Sequence, residues 1–434
     1  MEIKELYEIF LKHPVITTDS RDCPEGSIFF ALKGESFNGN QYAQAALDKG
    51  CAYAVVDEPV TLTEDGRGII VDDVLATLQQ LANYHRRQLG TKIIGVTGTN
   101  GKTTTKELIS AVLSEKYNVL YTQGNFNNHI GVPKTLLRLT KQHDIAVVEM
   151  GANHPGEIKT LVNIVEPDYG IITNVGKAHI LGFGSFEGVI KTKGELYDFL
   201  REKPNSKVFV NNDNPYLMGI SQGLDLIKYG TQPADDLSVC GKVTKCDPYL
   251  NLEWKQNSGN SKLRELVTHL IGSYNIDNML AAACIGLHFG VSEEQVCHAL
   301  SNYIPTNNRS QLEATADNKL IIDAYNANPT SMMAALCNFR DMQVEPKMAI
   351  LGDMRELGDI SADEHQKVVD FLQENNLSNI WLVGEEFQKT RCTFRKFHDV
   401  EEVKAAIEAD KPCGYFILIK GSNGTRLFEL PKLL

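Results

Sequence analysis

The chain has 434 residues, 42% hydrophobic and 23% charged, a balance that excludes a largely disordered polypeptide and, at roughly 100–200 residues per domain, predicts three domains. Asp and Glu (55) outnumber Lys and Arg (43), for a formal net charge of −12. A duplex-binding protein carries a basic face, so the balance argues against nucleic acid, and an anionic ligand must be held by a local site.

Residues 1–87 read as a small mixed α/β domain. Their start shows no basic stretch followed by an apolar one, so no signal peptide is expected. Short strands are predicted at Ser27–Leu32, Ala52–Val56 and Gly68–Val71, with helices at Asn40–Lys49 and Val74–Leu89. The second helix ends in His85-Arg86-Arg87 and Gly90, a cationic last turn followed by glycine. Over residues 88–310 apolar runs alternate with helical patterns. Ile93–Thr97, Ile145–Met150 and Tyr169–Thr173 read as buried parallel strands and Lys102–Glu115 as a helix, which predicts a doubly wound, mostly parallel sheet. Residues 235–268, with Leu237–Val243 and Tyr249–Trp254, read as a β-rich insertion or a sheet edge. Asn275–Phe289 is a predicted helix with Gly290 at its C-terminal cap, and Asn302–Ser310 a linker. Residues 311–434 return to alternation, as in a Rossmann-like α/β domain. Strands are predicted at Leu320–Ala324, Met348–Leu351, Ile380–Val383 and Tyr415–Ile419, and helices at Ser331–Arg340 and Ala362–Asn375. No apolar run approaches the ~20 residues of a membrane span. The nine cysteines are scattered without a Cys-x-x-Cys pair, which predicts reduced thiols and a cytoplasmic location.

The strongest motif is Val96-Thr97-Gly98-Thr99-Asn100-Gly101-Lys102-Thr103-Thr104, after a predicted strand and opening a predicted helix. Backbone N–H groups of such a turn converge on phosphate oxygens, and the helix N-terminus adds positive potential. Lys102 would reach the β- and γ-phosphates and the Thr103 hydroxyl would ligate Mg²⁺. The general pattern has glycine where Val96 stands, so this loop is a shortened form anchored by Gly98. Glu149 ends an apolar strand, and strand C-termini in open α/β sheets face the ligand crevice. A carboxylate there suits Mg²⁺, against the alternative of a solvated strand end. On their own, His179 reads as a loop histidine more readily than as a ligand, and Lys193 as a helix-surface lysine.

Taken together these stretches resemble the Mur ligases, ATP-dependent amide ligases that extend the peptide of peptidoglycan precursors. Thr97 to Thr104 resembles their phosphate loop. His179-Ile180-Leu181-Gly182-Phe183-Gly184-Ser185 with Lys191-Thr192-Lys193-Gly194-Glu195 resembles their segment of a metal-binding His and a carbamylated Lys. Gly272-Ser273-Tyr274-Asn275 with Asn278 resembles their adenine-side helix start, with Tyr274 in place of a His. The resemblance thus implies Asn275 and Asn278 for ATP, and Thr103, Glu149, His179 and carbamylated Lys193 for Mg²⁺. It implies a uridine-diphosphate module at Thr18-Asp19-Ser20-Arg21 and Phe29 to Gly34, with contacts from Ser20, Arg21, Ala31, Lys33 and Gly34. Asn38 and Asn40 depart from the usual Asp and His there, and Asn423 from an Arg.

Four stretches resemble the branch of the family that adds D-alanyl-D-alanine to a UDP-N-acetylmuramoyl tripeptide. They are Gly124 to Pro133 (with Asn125, Asn127 and Asn128 as substrate contacts), Asp323 to Pro329, Leu351 to Gly358, and Lys420-Gly421-Ser422. The resemblance implies that Lys102 and Arg309 approach the γ-phosphate and that Asp323 and Tyr325 contact ribose and adenine. It further implies an acyl-phosphate intermediate, attacked by the dipeptide amine; a monomer is expected, though nothing in the sequence fixes the oligomeric state. A neighbouring ligase such as folylpolyglutamate synthetase, and a P-loop ATPase switch, are the rival readings. The third peptide residue, diaminopimelate or lysine, stays open.

Overall fold

The computed structural model describes residues 1–58, 66–257, 261–306 and 309–434, and its strands form three sheets. In the first, β1 (Ile16–Thr17), β2 (Ile28–Phe30), β3 (Tyr53–Val56) and β4 (Gly68–Ile70) lie in chain order and run parallel. Alternate residues face opposite ways. Phe29, Ala54 and Val56 pack with Ala43, Ala46 and Leu47, whereas Ile28, Phe30 and Val55 pack with Leu6, Phe10, Leu78 and Leu81. The helix Val74–Leu89 has the predicted bounds: Asp73 accepts the Ala76 N–H at its start, and Gly90 (φ 67°) ends it. The predicted helix Asn40–Lys49 is shorter, Ala43–Asp48, preceded by a 3₁₀ turn at Gly39–Tyr42. The reason is local: the Asn38 side chain takes the Asn40 N–H at 3.0 Å.

The second sheet has nine strands: β5 (Lys92–Thr97), β6 (Val119–Tyr121), β7 (Ile145–Glu149), β8 (Tyr169–Ile172), β9 (Lys207–Asn211), β10 (Leu226–Gly230), β11 (Leu237–Cys246), β12 (Tyr249–Gln256) and β13 (Arg264–Ile271). Their order is β13-β12-β11-β10-β9-β8-β5-β7-β6. Strands β5 to β11 pair in parallel, while β12 and β13 are antiparallel. The stretch 235–268, apart from 258–260, which lie outside the described residues, is therefore a sheet edge. Ile94, Val96 and Val147 pack with Leu108 and Ile109 and with Met279 and Leu280. Ile93, Ala146 and Val148 pack with Leu78, Ile158 and Leu196 on the other face. Burial on both faces is why these strands read as continuous apolar runs. After β5 the chain turns toward β6, and after β8 toward β9. The C-terminal ends of β5 and β8 thus flank the crevice where ligands bind in such sheets.

The third sheet holds β14 (Gln311–Ala314), β15 (Lys319–Asp323), β16 (Lys347–Gly352), β17 (Ile380–Val383), β18 (Arg395–Phe397) and β19 (Phe416–Lys420), in the order β14-β15-β19-β16-β17-β18. Only β14 is antiparallel to its neighbour. The predicted linker is trimmed, because the helix Glu293–Asn302 includes Asn302; its Asn307 and Asn308 lie outside the described residues, as do residues 59–65 of the first predicted domain. All nine cysteines are free thiols, and among the described residues no helix is long and apolar enough to cross a membrane.

Candidate active site

The phosphate-loop motif lies between β5 and the helix Lys102–Ser114, as the sequence predicts. Two glycines set its course. Gly98 has φ 142°, and a Cβ there would stand 2.1 Å from the Thr173 hydroxyl; Gly101 has φ 75°, and its Cβ would meet the Asn278 amide at 2.7 Å. Gly98→Ala should therefore lower stability by about 2–4 kcal/mol, read as a fall in the thermal midpoint. An unchanged midpoint would show that the turn relaxes freely. The Asn100 N–H donates to the Asn174 side chain at 2.9 Å, tying the loop to the end of β8.

Lys102 folds back on this loop, its Nζ donating to the carbonyls of Gly98 and Thr99 at 2.9 Å each. Burial pushes its pKa down to about 8, with Glu149 opposing and Arg309 adding to the shift. Glu149 ends β7 fully buried. Its Oε1 accepts from Thr103 Oγ1 (3.2 Å) and Asn127 Nδ2 (2.8 Å), and its N–H donates to Thr122 Oγ1 (3.0 Å). Its Oε2 has no hydrogen-bond partner. A buried carboxylate oxygen left without a partner beside a phosphate-loop motif could hold a hard cation. Asn127, an expected substrate contact, is thus also bonded to this carboxylate.

These groups line one cleft of about 870 Å³ between the second and third sheets. Gly101, Lys102, Glu149 and His179 line it from one side, Asp323 and Tyr325 from the other. Arg309 lies with its guanidinium 4.1 Å from the centroid of the Tyr325 ring, and Asp323 pairs with buried Lys420 at 2.5 Å. Asn275 and Asn278 also line the cleft. Asn278 accepts from Thr105 Oγ1 (2.9 Å) and donates to Asn275 Oδ1 (2.8 Å), whose own amide donates to the Ile271 carbonyl (2.8 Å). Tyr274, at the departure from the family pattern, shares a hydrogen bond of 2.8 Å with Ser310, and burial raises its phenol pKa.

The helix Phe186–Glu202 corrects one expectation. Lys193 is not a surface residue but 2% exposed. It falls on the stripe of Val189, Leu196 and Leu200 that packs against the sheet, a spacing visible in the sequence. Its Nζ donates to the Ala152 carbonyl at 3.1 Å and lies 5.0 Å from the centroid of Phe183. Burial, with Lys102 nearby, holds its pKa well below the ordinary lysine value. His179, at φ 51°, packs edge-on to the same Phe183 ring, and its Nδ1 contacts Glu356. Burial lowers its pKa. Glu356 had no role in the sequence reading, since it joins His179 only across the two sheets. Asn328 escaped for the same reason: its Nδ2 donates to Asn100 Oδ1 at 2.7 Å.

The residues expected to hold uridine diphosphate lie elsewhere. Ser20, Arg21, Ala31, Lys33 and Gly34 sit around β1 and β2, apart from the cleft lining. Arg21 is paired with Asp19, and Lys33 with Asp57 and Glu58. Leu75 and Gln79, on the helix that backs this sheet, do line the cleft. Asn127 and Asn128 line it too, while Asn125 is exposed outside it. Thr99, Asn100 and Thr104 are in the lining, and Thr103 lies buried beneath it.

Three family models match: the Mur ligase family catalytic domain over residues 14–86, the Mur ligase middle domain over 96–286, and the Mur ligase glutamate ligase domain over 308–423. A Bacillus subtilis protein, UDP-N-acetylmuramoyl-tripeptide–D-alanyl-D-alanine ligase, is 34% identical over 98% of this chain and 94% of its own length. A crystal structure of MurF from Acinetobacter baumannii superposes with a TM-score of 0.85 at 32% identity, covering 96% of this chain and 92% of its own. That of MurF from Thermotoga maritima in complex with ADP gives 0.84 at 25% identity, covering 96% of both chains.

Proposed function

The chain belongs to the Mur ligase family, and from that premise we propose that it joins D-alanyl-D-alanine to UDP-N-acetylmuramoyl-tripeptide at the expense of ATP, as a cytoplasmic monomer. The likeness to ligases of that name along nearly the whole chain carries this reading. The cleft geometry supports it, since one phosphate loop faces groups of the third sheet across a space large enough for a nucleotide.

The labour divides among three domains, 1–87, 88–310 and 311–434. The first holds the uridine diphosphate, with Ser20, the backbone near Ala31 and Gly34, and Arg21 and Lys33 once they exchange carboxylate partners for pyrophosphate. Asn125 and Asn128 guide the muramoyl peptide toward the cleft. The second holds the ATP phosphates on the N–H groups of Gly98 to Thr104, with Asn275 and Asn278 on the adenine side. Asp323 and Tyr325 close over ribose and base. Lys102 and Arg309 offset the repulsion between the γ-phosphate and the substrate carboxylate. That carboxylate displaces ADP to give an acyl phosphate, and the dipeptide amine then attacks the acyl carbon, releasing phosphate. Groups from two sheets shield the intermediate from water.

Mg²⁺ fits the donor set: Thr103 and the unpartnered Oε2 of Glu149 would hold one ion, His179 and a carbamate on Lys193 a second. When bound, the ions neutralise phosphate charge and orient the oxygens for transfer. Among the described residues no three His, Cys, Asp or Glu cluster, so phosphate oxygens and water would have to complete such sites. Glu149→Gln should raise the magnesium concentration for half-maximal rate at least about tenfold, because an amide is a weak ligand for a hard cation. An unchanged magnesium titration would remove Glu149 from the site.

The decisive experiment is an ADP-release panel. Each UDP-muramoyl peptide is offered with D-alanyl-D-alanine, single amino acids or glutamate as acceptor. Release should require both tripeptide and dipeptide. Hydrolysis at full rate without an acceptor would favour the ATPase switch, and preference for a single amino acid would favour a neighbouring ligase.

A further inference from the structure

A second, smaller cleft of about 230 Å³ opens beside the first, and it shares His179 and Asn326 with it. It is built by Ala178 and His179 from the second sheet's side and, from the third, by Asn326 to Asn328, Arg355, Glu356 and the turn Ser422 to Gly424. A molecule held here would therefore reach the phosphate-loop cleft with one end. The mechanism above leaves the acceptor without a site, and this cleft is too small for a nucleotide.

Arg355 supplies the chemistry. Its backbone N–H donates to Ser422 Oγ at 3.1 Å, and its guanidinium Nη2 donates to the Gly424 carbonyl at 3.2 Å. These bonds hold the guanidinium over the turn and leave most of its five N–H groups uncommitted. Among the described residues it forms no ion pair with a carboxylate, although most other arginines here do. Gly424 makes the room, since a Cβ there would stand 2.3 Å from the guanidinium carbon. The next residue, Glu356, adopts φ 62° and turns its carboxylate to His179, at the end where the two clefts meet. One wall thus presents a positive group to the small cleft and a negative group to its junction with the large one. That polarity suits a short zwitterion whose carboxylate lies on Arg355 and whose amino group points at the junction.

We propose that Arg355 anchors the terminal carboxylate of the acceptor dipeptide in this cleft, and so selects an acceptor with a free carboxyl end. The proposal rests on the reading that the acceptor is D-alanyl-D-alanine. It gives Arg355 a part in substrate selection and none in phosphate transfer.

The test uses the full-length enzyme with saturating ATP, Mg²⁺ and UDP-muramoyl tripeptide. Two acceptors are compared, D-alanyl-D-alanine and its C-terminal amide. The wild type should favour the free acid by about 100-fold in kcat/KM, the worth of charge-assisted hydrogen bonds to a carboxylate. R355M should raise the KM for the free acid by a similar factor, leave the KM for ATP within twofold, and lose the preference over the amide. R355K, which keeps the charge but not the fork, should fall between. A wild-type preference retained in R355M, or a KM for ATP that rises in step, would overturn the proposal. Absence of dipeptide-dependent ADP release in the wild type would instead overturn the function from which it starts. Arg355 is exposed, so both variants should melt with the wild type, and a melting shift in R355M accompanied by equal losses on both acceptors also counts against it.

Discussion

Lys102→Ala should lower kcat for ligation by about 10²–10³-fold while the protein stays folded, because one preorganised charge at a developing anion is worth roughly 3–4 kcal/mol. The side chain bonds only carbonyls of its own loop, and Glu149, which feels its charge, keeps its hydrogen bonds from Thr103 and Asn127 when Lys102 is removed. The same residue gives a pH signature. Its pKa is about 8 in the protein, against about 10.4 for an ordinary lysine. Above pH 8 the ligand-free protein has lost part of this proton, and phosphate oxygens drawn against Nζ favour the charged form. ATP binding at about pH 9 should therefore take up a proton, and the uptake should fade below about pH 7, where Lys102 is already charged. Calorimetry in buffers of different ionisation enthalpy reads the uptake, and Lys102→Ala should abolish it. A mutant keeping more than a tenth of wild-type kcat, a loss under about 1.4 kcal/mol, would end the phosphate role.

Lys193→Ala should be at least about 100-fold slower, on the scale of losing a group that holds or orients a metal. The proposed carbamate needs a neutral amine at Lys193. Burial holds the Lys193 pKa well below its ordinary value, a shift toward the neutral amine that adds CO₂. The carbamate would carry two oxygens and a negative charge where Nζ now lies, near the Ala152 carbonyl and the Phe183 ring. Acetate should then restore part of the activity of the Ala variant by supplying a carboxylate to the vacated space, and methylamine should not. Rescue by the amine, or an undiminished wild-type rate after thorough removal of CO₂, would show that the working group is a cation.

The sequence by itself determined the phosphate loop, the helix that follows it, and the buried strands on either side. Those features are local: a glycine-rich turn, a lysine and three threonines in one run, and apolar stretches whose two buried faces leave no polar alternation. The end of Val74–Leu89 was legible because Arg86, Arg87 and Gly90 mark it chemically, and the structure shows its start capped by Asp73. Family resemblance added His179, Lys193 and the adenine-side asparagines, which local pattern alone had read as a loop histidine, a surface lysine and a helix start.

Only the tertiary structure decided the rest. Strands of two or three residues, such as β1, β6 and β18, are too short to show a period and exist because a neighbour pairs with them. The same holds for the cross-sheet pairs. His179 meets Glu356, and Asn100 meets Asn328, across separations of 177 and 228 residues, which no spacing rule reaches. Lys193 lost its place on the surface because the helix Phe186–Glu202 lays that face on the sheet. Its displaced pKa follows from desolvation, a property of the packed chain and not of the residue. The vacant oxygen of Glu149 has the same origin: the carboxylate is written in the sequence, but its isolation from every donor except Thr103 and Asn127 is made by the fold.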